Sequence, residues 1–320
     1  MVALDGVPGE LRASVSAIAR RFDVPLGKVS LAPQQGQVNL TVFLGDDLVL
    51  RLPRKPAYEQ RLHKEAAVIP FVQGVGVPTA ELVAFDPDHA IADVSYIVLT
   101  RLPSTLHGFP ADIDLARRAY GTLAELLHRL HSVQMTPDGQ PPGVEWRTDL
   151  SPDLLLEPLI AAGDIGRAQE DWLRQWFTRL EEHGARTSDP VLLHGDVLPS
   201  NLIADATGRV TALIDWGSAC WGEPARDLAD FPTSILPLLI DAYRETAPSS
   251  PAAQARVRPV ALEASVLWYQ LFFALARLLG RQSISETRNW SAPRHARLFE
   301  LLRFVSSAVP AQWNDLLPPS

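Results

Sequence analysis

Three polar residues in the middle of the chain follow one another at a spacing that few folds can use. An apolar run ends in His194-Gly195-Asp196, and Asn201 follows five residues after the aspartate. Two short β-like runs, with a turn at Asp205–Gly208 between them, then lead to a second aspartate, Asp215. A hairpin returns the chain close to its starting point, so the sequence predicts that Asn201 and Asp215 lie side by side.

This order of residues matches a phosphoryl-transfer site. In such sites one aspartate takes the proton of the attacking hydroxyl, and an asparagine and a second aspartate bind Mg²⁺. Mg²⁺ prefers oxygen ligands, which Asn201 and Asp215 supply. Each residue alone would be explained as well by a turn or a cap. All three in order, with a hairpin between them, favour Asp196 as the catalytic base and Asn201 and Asp215 as metal ligands.

The same residues carry a resemblance to a known family. His194-Gly195-Asp196, Asn201 and Ile214-Asp215-Trp216 resemble the Brenner-type motif of the aminoglycoside phosphotransferase family, which includes macrolide and other small-molecule kinases. Glu223–Ala229 resembles the family's Pro-x-x-Asp-Leu-Ala signature, so the specific part of the match covers residues 192–230.

The resemblance implies an α+β, two-lobed, protein-kinase-like fold. Residues 1–101 would form a small N-terminal antiparallel-sheet lobe that binds the nucleotide. Residues 102–320 would form a mainly helical C-terminal lobe that holds the catalytic residues and the acceptor.

Periodicity along the N-terminal part is consistent with this fold. Apolar spacing predicts helices over residues 9–22 and 57–72. Runs rich in β-branched and apolar residues predict a hairpin of strands 37–44 and 47–52. Two further strands are expected near residues 81–85 and 95–100.

Five residues in this lobe or at its boundary with the next are candidates for nucleotide binding. Gly36 lies where a glycine-rich loop would cover the phosphates, and Thr100 and Leu102 lie at the expected hinge, where adenine would meet backbone groups. Arg51 stands where protein kinases have the phosphate-pairing lysine, and its guanidinium can grip phosphate and carboxylate oxygens together. Glu65, on the apolar face of the following helix, is its expected partner.

Glu59 is the competing partner for Arg51. It lies on the same predicted helix as Glu65 but nearer to its start.

The C-terminal part opens with a predicted helix over residues 113–133 that contains Glu125-Leu126-Leu127-His128-Arg129-Leu130-His131. A Glu-x-x-His motif can serve a di-iron bundle, but a partner motif on other helices is then required, and the sequence has none. His128 and His131 are therefore expected to be packed or hydrogen-bonded. A second amphipathic helix is predicted over residues 172–180.

Two other polar residues near the motif, Asp227 and His194, are expected to support Asp196. Asp227 is expected to brace the loop behind Asp196, and His194 to orient it through a hydrogen bond. A serine hydrolase is excluded because no Gly-x-Ser-x-Gly elbow occurs. A protein kinase is disfavoured, because too few residues separate Asp215-Trp216-Gly217 from Glu223-Pro224 to form an activation loop.

Charge and composition limit the partners. The formal net charge of −8 divides into −1 over residues 1–102 and −7 over residues 103–320. This argues against nucleic acid and is compatible with a cationic acceptor, although surface acids for solubility are the more common explanation. The apolar window 261–280 contains charged residues and is expected to be a buried helix, not a membrane span. One cysteine, Cys220, and an opening segment without a signal-peptide pattern favour a cytoplasmic protein.

The resulting hypothesis is transfer of the γ-phosphoryl of ATP or GTP, with Mg²⁺, to a hydroxyl of a small molecule. The resemblance implies an aminoglycoside-like antibiotic as the acceptor, and therefore antibiotic resistance by O-phosphorylation. A macrolide, or a metabolite such as an amino alcohol or a sugar, is the alternative acceptor. A catalytically silent nucleotide-binding module is the alternative of another class.

Overall fold

The computed structural model describes residues 4, 6–33, 35–103, 113–135, 140–146, 151–184, 190–280, 295–307 and 309–319. They fall into two compact units. The first comprises Met1–Leu115, Thr136–Glu145 and Pro199–Ala219, and the second comprises Ala116–Met135, Trp146–Leu198 and Cys220–Ser320.

The regular elements have the following bounds. The helices are α1 Arg12–Arg21, α2 Glu59–Gly74, α3 Ile113–His131, α4 Asp153–Ala162, α5 Arg167–His183, α6 Ala225–Leu228, α7 Leu236–Glu245, α8 Pro251–Arg256, α9 Ala261–Leu279 and α10 Ala296–Ser307. The strands are β1 Val29–Leu31, β2 Asn39–Leu44, β3 Leu48–Pro53, β4 Leu82–Asp86, β5 Tyr96–Thr100, β6 Val191–Leu193, β7 Leu202–Ala204, β8 Val210–Leu213 and β9 Cys220–Gly222.

The first unit is built on an antiparallel sheet of five strands in the order β1-β2-β3-β5-β4. The predicted hairpin is present as β2 and β3, with Gly45 between them in the left-handed region at φ 67°. The predicted strands near residues 81–85 and 95–100 are present as β4 and β5. Strand β1, which covers the edge of β2, was not predicted, because three residues carry too short a pattern.

Alternation along β3 divides its side chains between two buried faces. Leu50 and Leu52 join Val15 and Ile18 of α1 in one hydrophobic core. Arg51 lies on the opposite face, because successive side chains of a strand point to opposite sides. That face is covered by α2, which packs against β3, β4 and β5. Arg51 is therefore buried.

Residues Pro199–Ala219 of the first unit form a second hairpin, which docks on α2. Strand β7 pairs with β8, as predicted, around the turn at Asp205–Gly208. The buried Trp216 then donates its indole N–H to Thr79 Oγ1 at 2.9 Å. A Cβ on Gly217 would lie 3.2 Å from the carbonyl oxygen of Arg61 in α2, so glycine lets the two backbones approach.

The second unit is centred on α9, which contacts α4, α5, α6 and α10. This helix is long and apolar enough to cross a membrane, but 78% of its most apolar window is buried inside the protein. It is the predicted core helix. Strands β6 and β9 form a two-stranded antiparallel ladder, so the apolar strand that leads into His194-Gly195-Asp196 is paired along its whole length.

The contact at Gly217 gives a prediction about stability. Gly217→Ala should lower the free energy of unfolding by about 1–3 kcal/mol, because either the turn or the Arg61 carbonyl must move. Urea denaturation measures this. Gly74→Ala is the control. Gly74 ends α2, the helix that contains Arg61, and a Cβ there meets no atom within 4 Å. Equal stability of the two variants would contradict the close approach.

Candidate active site

Arg51 stands at the centre of a buried charge cluster in the first unit. Its Nη1 forms an ion pair with Oε1 of Glu65 on α2, and its Nη2 lies 2.8 Å from Oδ1 of Asp215. The two nitrogens of one planar guanidinium thus hold carboxylates from two different elements. The sequence predicted the first of these contacts but not the second.

Arg51 keeps its positive charge in the cluster although it is buried. Burial alone would lower the pKa of Arg51, but the neighbouring Asp215 and Glu65 outweigh it and raise that pKa above its ordinary value. Burial raises the pKa of the Glu65 carboxyl, and the charge of Asp215 adds to this, whereas Arg51 and the backbone N–H of Trp216 oppose it. The guanidinium therefore stays charged and holds the cluster together.

The cluster retains capacity to bind a ligand. Nε of Arg51 is buried and has no hydrogen-bond partner among the described residues. A buried guanidinium N–H without a partner is costly, and a phosphate oxygen is an acceptor that would satisfy it. The residues present thus fit a phosphate group at Arg51.

Asn201 and Asp215 lie next to each other at one end of the β7–β8 hairpin. Leu202 pairs with Leu213, and the N–H of Ile214 donates to the carbonyl oxygen of Asn201 at 3.0 Å. Asp215 itself adopts a left-handed backbone conformation, φ 70° and ψ 64°. This conformation is uncommon for a residue with a side chain, although Asp adopts it more readily than most.

The donor set at this end of the hairpin fits Mg²⁺. Asn201 and Asp215 offer oxygen atoms, and Asp215 remains 37% exposed at its side chain. Among the described residues, no group of three His, Cys, Asp or Glu side chains could enclose a metal ion. Mg²⁺ needs no such cage, because it is usually held by one or two carboxylates together with substrate phosphates.

Glu59 can be set aside as the partner of Arg51. Its carboxylate Oε1 lies 3.1 Å from Nε2 of His89 and accepts the N–H of Ser95 at 3.2 Å. Glu59 therefore fixes the loop that leads into β5. The partner of Arg51 is Glu65.

The other three nucleotide-binding candidates lie elsewhere in the first unit. The carbonyl oxygen of Gly36 accepts a hydrogen bond from Nε of Arg54 at 3.0 Å, which ties its loop to the end of β3. Thr100 ends β5, and its Oγ1 accepts the N–H of Glu81 at 2.9 Å. Leu102 follows β5 and is half-buried. Within the described ranges, no hydrogen bond or ion pair joins these three residues to Arg51 or Glu65, and their nucleotide-binding roles remain predictions.

In the second unit, Asp227 holds the backbone on the N-terminal side of Asp196. One carboxylate oxygen of Asp227 accepts the N–H of His194 at 2.9 Å, and the other accepts the N–H of Gly195 at 2.8 Å. Gly195 lies in the left-handed region at φ 77°, which turns the chain sharply before Asp196. The predicted brace is confirmed, and Asp196 is presented from a rigid loop.

A buried hydrogen-bond chain supports Asp227 in turn. His131 Nε2 lies 3.2 Å from Asp227, and its Nδ1 lies 2.7 Å from the hydroxyl of Tyr243. His128 Nε2 donates to the carbonyl oxygen of Tyr243 at 2.6 Å, and burial lowers the pKa of His128 to about 4. Both histidines are hydrogen-bonded structural residues, as the sequence predicted.

Two contacts of the site were not found from the sequence. The bond from Trp216 to Thr79 and the ion pair of Arg51 with Asp215 both join segments more than a hundred residues apart. The signal that could have suggested the first is the Trp of Asp215-Trp216-Gly217, because a buried indole N–H needs an acceptor.

Comparison with known proteins agrees with this geometry. The chain is similar to the uncharacterized protein YcbJ of Bacillus subtilis (strain 168), at 27% identity over 60% of this chain and 66% of the relative. It is also similar to viomycin phosphotransferase of Streptomyces vinaceus, at 26% identity over 62% of this chain and 71% of the relative. The match to YcbJ thus spans slightly less than two thirds of that protein.

A solved structure shows the same fold. The GDP complex of wild-type aminoglycoside 2'-phosphotransferase-IIIa superposes with a TM-score of 0.63 at 18% identity, covering 92% of this chain and 98% of that one. The predicted kinase-like α+β fold class is confirmed. A sequence model described as the phosphotransferase enzyme family matches residues 31–260, well over half of the chain. The protein therefore belongs to the phosphotransferase enzyme family.

Proposed function

We propose that the protein transfers the γ-phosphoryl group of ATP or GTP to a hydroxyl of a small molecule. The observation that carries the proposal is the guanidinium fork of Arg51, that is, its two terminal nitrogens bound to Glu65 and Asp215. Its third nitrogen, Nε, is left with a buried N–H that a phosphate oxygen could accept. Among phosphoryl-transfer enzymes, such a cation–carboxylate pair positions the phosphates.

The residues divide the reaction between them. Asp196 accepts the proton of the acceptor hydroxyl while the oxygen of that hydroxyl forms a bond to the γ-phosphorus. The bond from that phosphorus to the bridging oxygen breaks, and the nucleoside diphosphate leaves with the electron pair. Arg51 orients the phosphates. Asn201 and Asp215 would hold Mg²⁺, which would neutralise charge on the phosphate oxygens.

The proposed class of acceptor is based on the similarity of this chain to antibiotic phosphotransferases. Viomycin phosphotransferase and the aminoglycoside 2'-phosphotransferase carry antibiotics in their names, so an aminoglycoside-like antibiotic is the first acceptor to test. A macrolide, an amino alcohol or a sugar is the second. The free thiol of Cys220 suits a reducing cytoplasm, where nucleoside triphosphates are available. A screen of labelled-phosphate transfer to these acceptors, corrected for nucleotide hydrolysis, tests the proposal.

A silent nucleotide-binding module is the competing function. It would bind the nucleotide but show no transfer to any acceptor in the screen. The braced loop around Asp196 favours the enzyme, because nucleotide binding alone gives no reason to fix a carboxylate there.

The base is tested by Asp196→Asn. This variant should keep its affinity for the nucleotide but transfer phosphate about 10²–10⁴-fold more slowly, because the amide cannot take the proton. Asp171→Asn is the control, because Asp171 is exposed on α5. Transfer at the wild-type rate by Asp196→Asn would remove this residue from the mechanism.

The metal site is tested by Asp215→Ala. In calorimetric titrations with and without Mg²⁺, the variant should lose most of the Mg²⁺-dependent gain in nucleotide affinity, because a charged oxygen ligand is deleted. Asp205→Ala removes a carboxylate that binds Thr207 and Arg209 within the turn of the same hairpin, and it should keep that gain. An undiminished Mg²⁺ effect in Asp215→Ala would refute the assignment.

The fork of Arg51 is tested by a double-mutant cycle on kcat/KM. Arg51→Lys should be impaired, because one ammonium cannot reproduce two nitrogens held in a plane. Arg51→Ala should be worse, since Glu65 loses its partner. Arg51→Ala with Glu65→Ala should cost less than the sum of the single changes. The same cycle with Glu59→Ala should be additive, because Glu59 contacts other residues. Additivity with Glu65 would mean that the pair does not act as a unit.

A further inference from the structure

A second carboxylate of the second unit contacts the loop around Asp196. Asp230 lies three residues after Asp227, and its Oδ2 accepts the N–H of Val197 at 3.3 Å. Asp227 binds the N–H groups of the two residues before Asp196, whereas Asp230 binds the N–H of the residue directly after it. The backbone of the loop is thus held on both sides of the base by acids that follow each other in one short segment.

The charge of Asp230 differs from that of Asp227. Burial alone would raise the pKa of Asp227, but the hydrogen bonds from His131 and Gly195 and the charges of His131 and His194 hold it below its usual range. Asp227 therefore stays an anion. Burial raises the pKa of Asp230 to about 7, and Asp196 and Asp227 add to this, so Asp230 changes its charge near neutral pH.

Other groups face Asp230 from the elements packed around it. Arg297 of α10 and Arg226 of α6 oppose the rise in the pKa of Asp230. Arg297 also donates to the carbonyl oxygen of Ala229, and Arg277 and Glu300 act electrostatically on Arg297. Nε and Nη1 of Arg226 have no hydrogen-bond partner in the described part of the chain, so this guanidinium acts on Asp230 through its charge.

Electrostatic coupling between two acids is reciprocal. If the anion of Asp196 disfavours ionisation of Asp230, then the anion of Asp230 equally disfavours ionisation of Asp196 and favours its protonated form. A base that holds its proton more strongly removes one more readily from a hydroxyl.

We propose that Asp230 is a positioning residue, which fixes the loop after Asp196 and whose negative charge favours proton transfer to that base. The inference rests on the proposed phosphotransfer with Asp196 as the base. Phosphotransfer should then slow as the pH falls and Asp230 becomes protonated, since the neutral form keeps an acceptor for Val197 but loses the charge.

The test uses Asp230→Asn, which keeps an oxygen for the N–H of Val197 and removes the charge at every pH. At pH 8, kcat should fall about three- to tenfold, and the step in the pH–rate profile near neutrality should disappear. Asp230→Ala also removes the hydrogen bond and should lower kcat further. Asp171→Asn, which removes an exposed carboxylate on α5 that does not act on Asp230 or Arg297, should keep the wild-type profile.

A second measurement does not depend on the acceptor. Carboxyl ¹³C NMR titration of the whole protein should show a signal that titrates near neutral pH and is lost in Asp230→Asn. The signal assigned to Asp196, by its loss in Asp196→Asn, should titrate at lower pH in Asp230→Asn. An unshifted Asp196 signal overturns the inference. So does an active enzyme whose pH profile is unchanged in Asp230→Asn. Absence of transfer to every acceptor, with the NMR shift present, refutes the proposed function alone.

Discussion

The first unit depends on one buried guanidinium. Arg51 is charged, lies on a strand whose other face is apolar core, and binds Glu65 of α2 and Asp215 of the β7–β8 hairpin. Without it, the buried carboxylate of Glu65 would have no cation and the half-buried Asp215 would lie beside it, which is destabilising. The guanidinium of Arg51 therefore joins the sheet, the helix and the hairpin. The residue that we propose to bind phosphate is thus also one that holds the first unit together.

The sequence predicted the elements that carry strong local signals. The β2–β3 hairpin, α2, the β7–β8 hairpin and the buried α9 were found from periodicity and turn residues. The Arg51–Glu65 contact was predicted from the kinase-like position of Arg51 and from the place of Glu65 on an apolar helix face. Short elements were missed. Strand β1 and the β6–β9 ladder have three residues per strand, and such runs acquire their structure from the neighbour with which they pair.

The contacts missed from the sequence are those that depend on three-dimensional approach. Nothing in the sequence distinguishes Asp230 from an ordinary loop aspartate, because its importance comes from the backbone N–H of Val197 and from the charged groups around it. The ion pair between Arg51 and Asp215 likewise requires Trp216 and Gly217 to dock on α2. The motif fixes which residues take part, whereas packing decides which of them meet.

Contacts within the protein also affect how the negative charge of residues 103–320 can be interpreted. Residues 103–320 carry a formal charge of −7, which is compatible with a cationic acceptor. Asp227, however, is buried against His131 and two backbone N–H groups, and Glu263 is buried against Arg244. Asp230 is bound to the N–H of Val197 and faces two arginines. Carboxylates engaged in this way hold the protein together, so part of the negative charge is already used within the protein and the charge count alone does not select a polycationic antibiotic. Next to the loop that carries Asp196, the acid Asp230 is itself opposed by the charges of Arg226 and Arg297.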